Sequence, residues 1–150
     1  MNAGTVTRIR TALASPLGQV AMLTLGLGAT VAVSWLVVGG RLAAQGPMPT
    51  LETRSVPLFA FQSVLAAGVT AAFVGLSGER AWRRIVGLVI AAWLGELVVL
   101  TVGGSVLVAN ELVPTVAWFY WLIGTGGPIQ PIAAIAGGLA AIRFSGPTTG

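Results

Sequence analysis

Glu96 is the acid with the widest chemical scope in this sequence, because residues 85–108 around it carry no other charge. A carboxyl in such surroundings can hold a proton or a cation, or act as a neutral hydrogen-bond donor. At the centre of a bilayer a charged side chain costs on the order of 2.5–3.5 kcal/mol on insertion scales, so Glu96 is expected to turn away from lipid and to be neutral. By depth along antiparallel crossings its expected partners are Thr30 and Thr70, with Gln62 and Gln130 nearer the outer boundary. Glu96, Thr30 and Thr70 are thus the candidate intramembrane polar site. One use of such a site is structural, a hydrogen bond that fixes helix packing. Another is functional, coupling of a proton or cation to transport. A third is pairing with a basic group on another subunit, since no arginine of this chain lies within an apolar run.

The remaining chemical inventory is short. Glutamates number four and arginines eight, for a formal net charge of +4, and His, Cys, Asp and Lys are absent. Histidine or thiolate ligation of zinc, haem or iron–sulfur clusters is therefore excluded within this chain, as are Ser-His-Asp and Cys-His nucleophiles and disulfides. Glu52, Glu79 and Glu111 do not pair as catalytic carboxylates. Gly124, Gly126 and Gly127 lack the lysine and preceding strand of a phosphate loop. No cofactor, no metal and no enzymatic activity are expected. The arginines fall between apolar runs instead of forming a patch, which argues against nucleic acid. Arginine without lysine, beside abundant Ala, Gly and Val, points to a GC-rich prokaryotic genome.

The elements that must position Glu96 follow from hydropathy. The chain is 55% hydrophobic and 8% charged, whereas soluble domains carry about 25% charged residues. Its surplus apolar surface calls for lipid as a partner. Residues 19–38 would span about 30 Å as a helix, the thickness of a hydrocarbon core. Further crossings are expected at 57–76, 85–108 and 128–144, with Pro57 suited to a first helical turn. Before the last stands the aromatic group Trp118, Phe119, Tyr120 and Trp121, followed by GTGGPIQP at 124–131. The glycines and prolines oppose a regular helix there, so 115–123 is expected as a short interfacial or re-entrant helix. The alternative is one long broken helix over 116–142. Trp82, Trp118, Tyr120 and Trp121 are the expected interfacial anchors.

With four crossings, Arg8, Arg10, Arg80, Arg83, Arg84 and Arg143 share one side, opposite Arg41 and Arg54. The positive-inside bias then places both termini in the cytoplasm. Helix association in lipid depends on close backbone approach. Small residues recur at four-residue spacing as Gly87, Ala91, Gly95 and Gly103 in the third crossing, and as Ala133, Gly137 and Ala141 in the fourth. These are the expected packing rows.

The sequence thus describes an all-α integral protein of a cell membrane, a single multi-pass domain over 1–150 with four transmembrane helices in an antiparallel bundle. Its expected role is an accessory or scaffolding component that assembles with itself or with a larger membrane complex. The alternative is a proton- or cation-coupled small transporter or channel subunit using Glu96.

Overall fold

A computed structural model describes residues 15–43, 56–108, 118 and 121–144, and every element of those residues is helical. Helix α1 spans Pro16–Ser34. Ser15 is its N-cap, accepting a 3.0 Å hydrogen bond from the Gly18 N–H, and Pro16 fills a first-turn position with no donor to lose. A π-helical turn, Trp35–Gly39, and a last α-helical turn, Gly40–Ala43, continue it. Helix α2 spans Val56–Ser77, α3 Trp82–Val108 and α4 Ile129–Phe144. Three stretches, Pro16–Gly39, Val56–Ser77 and Trp82–Gly103, are long and apolar enough to cross a membrane, and α4 is a shorter apolar helix.

The turn between α2 and α3 is built from local chemistry. Gly78 adopts φ +69° and returns its N–H to the Val74 carbonyl at 3.0 Å, a left-handed helix stop. Glu79 Oε1 accepts from the N–H groups of Arg80 and Ala81, and its Oε2 meets Arg84 Nη1 at 3.0 Å. Arg84 also donates from Nη2 to Gln19 Oε1 at 3.1 Å, tying this turn to the start of α1.

The helices pack in a closed order: α1 against α3 and α2, α4 against α2 and α3. Gln19 with Arg84 and then Thr24 with Ala92 pair α1 with α3 in the same order along both, so these two run in the same direction. Gly137 against Ala67 and Gly138 against Thr70 show the same for α2 and α4. The two most extensive contacts are therefore between parallel helices, and the antiparallel pairs α1·α2 and α3·α4 are smaller. Consecutive helices therefore alternate in direction, and the Gly137–Gly138 pair lets α4 settle onto the backbone of α2.

The interior reverses the usual polarity. Leu23, Leu27, Phe73, Ile85, Val89 and Ala134 form an apolar core, yet Thr24, Thr30, Ser34, Gln62, Thr70, Glu96 and Gln130 are buried with it. Meanwhile Leu17, Leu25, Leu36, Val64, Leu76 and Val98 are exposed. Such an exterior suits lipid, and in lipid the helices are held by close fit and hydrogen bonds, since lipid tails are as apolar as leucine.

The expected packing rows are only partly contact surfaces. A Cβ on Gly95 would lie 2.6 Å from Thr24 Oγ1, and one on Gly137 would run into the Ala67 carbonyl. Ala141 packs on the core, and Ala133 is half-buried. Gly87 and Gly103 face open space and Ala91 is exposed, so the row along α3 is not one continuous seam. The seam of α3 is instead Ile85, Val89, Ala92 and Glu96, all buried and separated by three or four residues, the spacing of one helix face.

Candidate functional site

Glu96 sits about 21 Å along α3 from Trp82, counted at 1.5 Å per residue. It is 8% exposed, and its partner is Gln130, in the first turn of α4. Gln130 Nε2 donates to Glu96 Oε1 at 3.1 Å and to the Leu27 carbonyl at 3.2 Å. One amide thereby links α4 to both α3 and α1.

Neither expected threonine pairs with Glu96. Thr30 Oγ1 donates to the Leu27 carbonyl at 2.7 Å, and Thr70 Oγ1 donates to the Ala66 carbonyl at 3.1 Å. A helical hydroxyl can return its proton to a carbonyl one turn earlier, and at these two positions that local bond forms, whereas Thr24 reaches across to the Ala92 carbonyl at 3.2 Å. Ser34, Ser63 and Thr101 form the same local bond. The Gln130 amide does not bond back in this way and reaches Glu96 instead.

Gln62 joins the same level. From the contact of Gly138 with Thr70, a little over two turns towards the start of each helix leads to Gln130 and Gln62, and both are buried, at 0% and 1% exposure. The layer therefore takes a backbone carbonyl from α1 and one polar side chain from each of α2, α3 and α4. Glu96 Oε2, Gln130 Oε1 and both amide atoms of Gln62 are buried without a hydrogen-bond partner. Each such atom costs about 1–3 kcal/mol where it stands.

The layer lies against the break before α4. A helical turn at 121–124 ends in a Schellman motif: Gly126 N–H bonds to the Ile123 carbonyl at 3.1 Å and Gly127 N–H to the Leu122 carbonyl at 2.7 Å, with φ of +67° and +59° at the two glycines. Thr125 Oγ1 donates to the Trp121 carbonyl at 2.8 Å. Pro128 and Pro131 then open α4 with two residues that have no N–H to leave unpaired. The break thus satisfies much of its own backbone, which is what non-helical chain among apolar surroundings requires. Thr125, Gly126 and Gly127 are all buried.

Three tryptophans clasp this break. Trp121 Nε1 donates to the Trp93 carbonyl at 3.1 Å, and the two indoles stack with centroids 4.4 Å apart and planes tilted by 37°. Trp35 Nε1 donates to the Gly124 carbonyl at 3.4 Å from the π-helical turn, where its ring lies over Gly39. Trp93 stands one turn before Glu96 on the same face of α3.

Of the expected anchors, Trp82 and Trp118 are exposed, and the Arg83 guanidinium lies 5.4 Å from the Trp82 ring centroid. Trp121 is 6% exposed and packs on Trp93, so it is an internal residue and not a surface anchor. Its indole N–H reaches a backbone carbonyl between the helices, which removes the preference for water. Tyr120, most of 115–120, and Glu52, Arg54 and Glu111 lie outside the described residues.

No family model, curated protein or solved structure matches this chain.

Proposed function

We infer that this chain is a multi-pass cell-membrane protein with four crossings and both termini in the cytoplasm, and that its buried polar layer handles a proton or a cation. The observation that carries this reading is the Gln130–Glu96 hydrogen bond, which spends one carboxylate oxygen and leaves the other buried without a partner. A purely structural acid would be expected to use both. The break at 125–128 adds to this, because irregular backbone within a membrane protein recurs where ions or substrates bind. In this reading 121–127 is a re-entrant segment and α4 starts level with Glu96. The test is flux in reconstituted vesicles, with a proton-sensitive dye and with cation gradients. Glu96→Gln, which keeps size and hydrogen bonding, is expected to abolish flux while the protein stays folded; unchanged flux rejects the reading.

Orientation has its own test, since the native chain has no thiol. An impermeant maleimide is expected to label Gly40→Cys in intact cells, and Ala81→Cys only after permeabilisation.

A second reading, an accessory or scaffolding component that assembles with itself or with a larger membrane complex, is favoured by the unpartnered small residues of α3. Gly87 and Gly103 face open space, and Ala91 is exposed between them. A helix from another chain could approach closely there. Gly87→Leu would then dissociate the assembly in native mass spectrometry and leave the isolated fold intact. Gly95→Leu would not discriminate, because Gly95 packs on Thr24 within the chain.

A further inference from the structure

We propose that Glu96 Oε2, Gln130 Oε1 and Gln62 Oε1 together bind a small hard monovalent cation of the sodium class at the level of the helix break. The proposal rests on the reading of this layer as a proton or cation site and names what the site takes.

The donor set decides the chemistry. All three groups are oxygens, they come from three different helices, and each belongs to a side chain at least nine-tenths buried with that oxygen unpartnered. Oxygen ligands select hard cations. A proton on Glu96 Oε2 can be shared with one glutamine carbonyl at most and leaves the other unmet. A cation answers all three at once.

Charge then fixes the valence. Glu96 is the one acidic residue among the described membrane-spanning stretches, and the arginines of α3, Arg83 and Arg84, stand at the far start of that helix. A monovalent ion beside one carboxylate is neutral overall, whereas a divalent ion would leave an unbalanced positive charge in a low-dielectric interior, at high cost. Trp93 and Trp121, the aromatic faces next to the layer, are closed on one another at 4.4 Å, with no room for a bulky cation between them. Gln62 is the ligand that this assignment adds. Its amide has no other task in the fold, and in apolar surroundings a leucine would be the cheaper residue.

The experiment uses the full chain in nanodiscs, titrated with NaCl, LiCl or KCl against choline chloride at constant ionic strength. Thermal unfolding and tryptophan emission are followed, the latter because Trp93 lies one turn from Glu96. Sodium or lithium is expected to raise the unfolding temperature and shift the emission, and choline to do neither. Gln62→Leu should unfold at a higher temperature than the native chain in choline, having lost an unpartnered amide, yet bind sodium roughly tenfold or more weakly. Opposite signs in these two readouts separate a lost ligand from a damaged fold. An equal response to all salts, or Gln62→Leu with native sodium affinity, overturns the proposal. Glu96-dependent proton flux with no alkali-cation response would remove this inference and leave the proposed function standing. The absence of any Glu96-dependent flux would remove that reading, while the salt titration still decides binding.

Discussion

Gly137 lies against the backbone of Ala67 so closely that even a methyl group on Gly137 would run into the Ala67 carbonyl. The neighbour here is main chain and cannot rotate aside. Gly137→Ala is therefore expected to destabilise by about 1–3 kcal/mol, the usual range for overpacking. Gly87→Ala, beside open space, is expected within about 0.5 kcal/mol of the native chain. Unfolding in mild detergent measures both, and equal effects would contradict the α2·α4 contact.

Two adjacent glycines at the break should differ. Both have positive φ, so alanine at either position costs about 1–2 kcal/mol from backbone conformation. At Gly126 the added Cβ would also stand 2.8 Å from the Phe59 ring, whereas at Gly127 the nearest side chain, Leu122, is an ordinary 3.8 Å away. Gly126→Ala is expected to lower the unfolding temperature more than Gly127→Ala. The reverse order would mean that the break does not rest on α2.

The hydrogen bond of Glu96 makes a spectroscopic prediction. Gln130→Leu removes its donor and should shift the carboxyl band of Glu96 in the infrared, with a loss of about 1–3 kcal/mol. Thr30→Val and Thr70→Val delete only bonds within their own helices, so the band should stay where it is and the cost should remain under about 1 kcal/mol. A shift caused by either threonine would restore the partner that depth alone suggests.

At the α2–α3 turn, Glu79 and Arg84 form an ion pair but are not equal partners. Arg84 is half exposed, so its contribution to the pair is expected at about 0–1 kcal/mol and to fall with salt. Glu79 is mostly buried and also holds two backbone N–H groups at the start of α3, a role resembling a helix cap worth about 0.5–2 kcal/mol. Glu79→Ala should therefore destabilise more than Arg84→Ala, and its effect should persist at high salt.

Helix content was legible because hydropathy alone delimits long apolar runs, and Pro57 marks the start of one with clear stereochemical meaning. The inward faces were harder to read. Rows of glycine and alanine on α3 drew attention, but the seam is marked by where polarity falls: Gln62 and Thr70 on α2, Thr30 and Ser34 on α1, Glu96 on α3. In lipid a polar side chain points inward for the reason that a leucine does in water. Depth along the chain points to the wrong partner for Glu96 because it sets the 125–128 break at the membrane surface. The break is instead buried between the helices, so Gln130 begins α4 beside Glu96 and not above it. Nothing in the apolar pattern reports such a displacement. The signal that could have found it is chemical: glutamine does not bond back to its own helix as threonine does, and Gln130 reaches across to Glu96 and to the Leu27 carbonyl.

The parallel pairing of α2 with α4 has a consequence for biosynthesis. A ribosome delivers α2 before α4, yet the backbone at Ala67 and the side chain of Thr70 are covered by Gly137 and Gly138 of α4. The backbone of α2 at Ala67 therefore gains its cover only once α4 has been made.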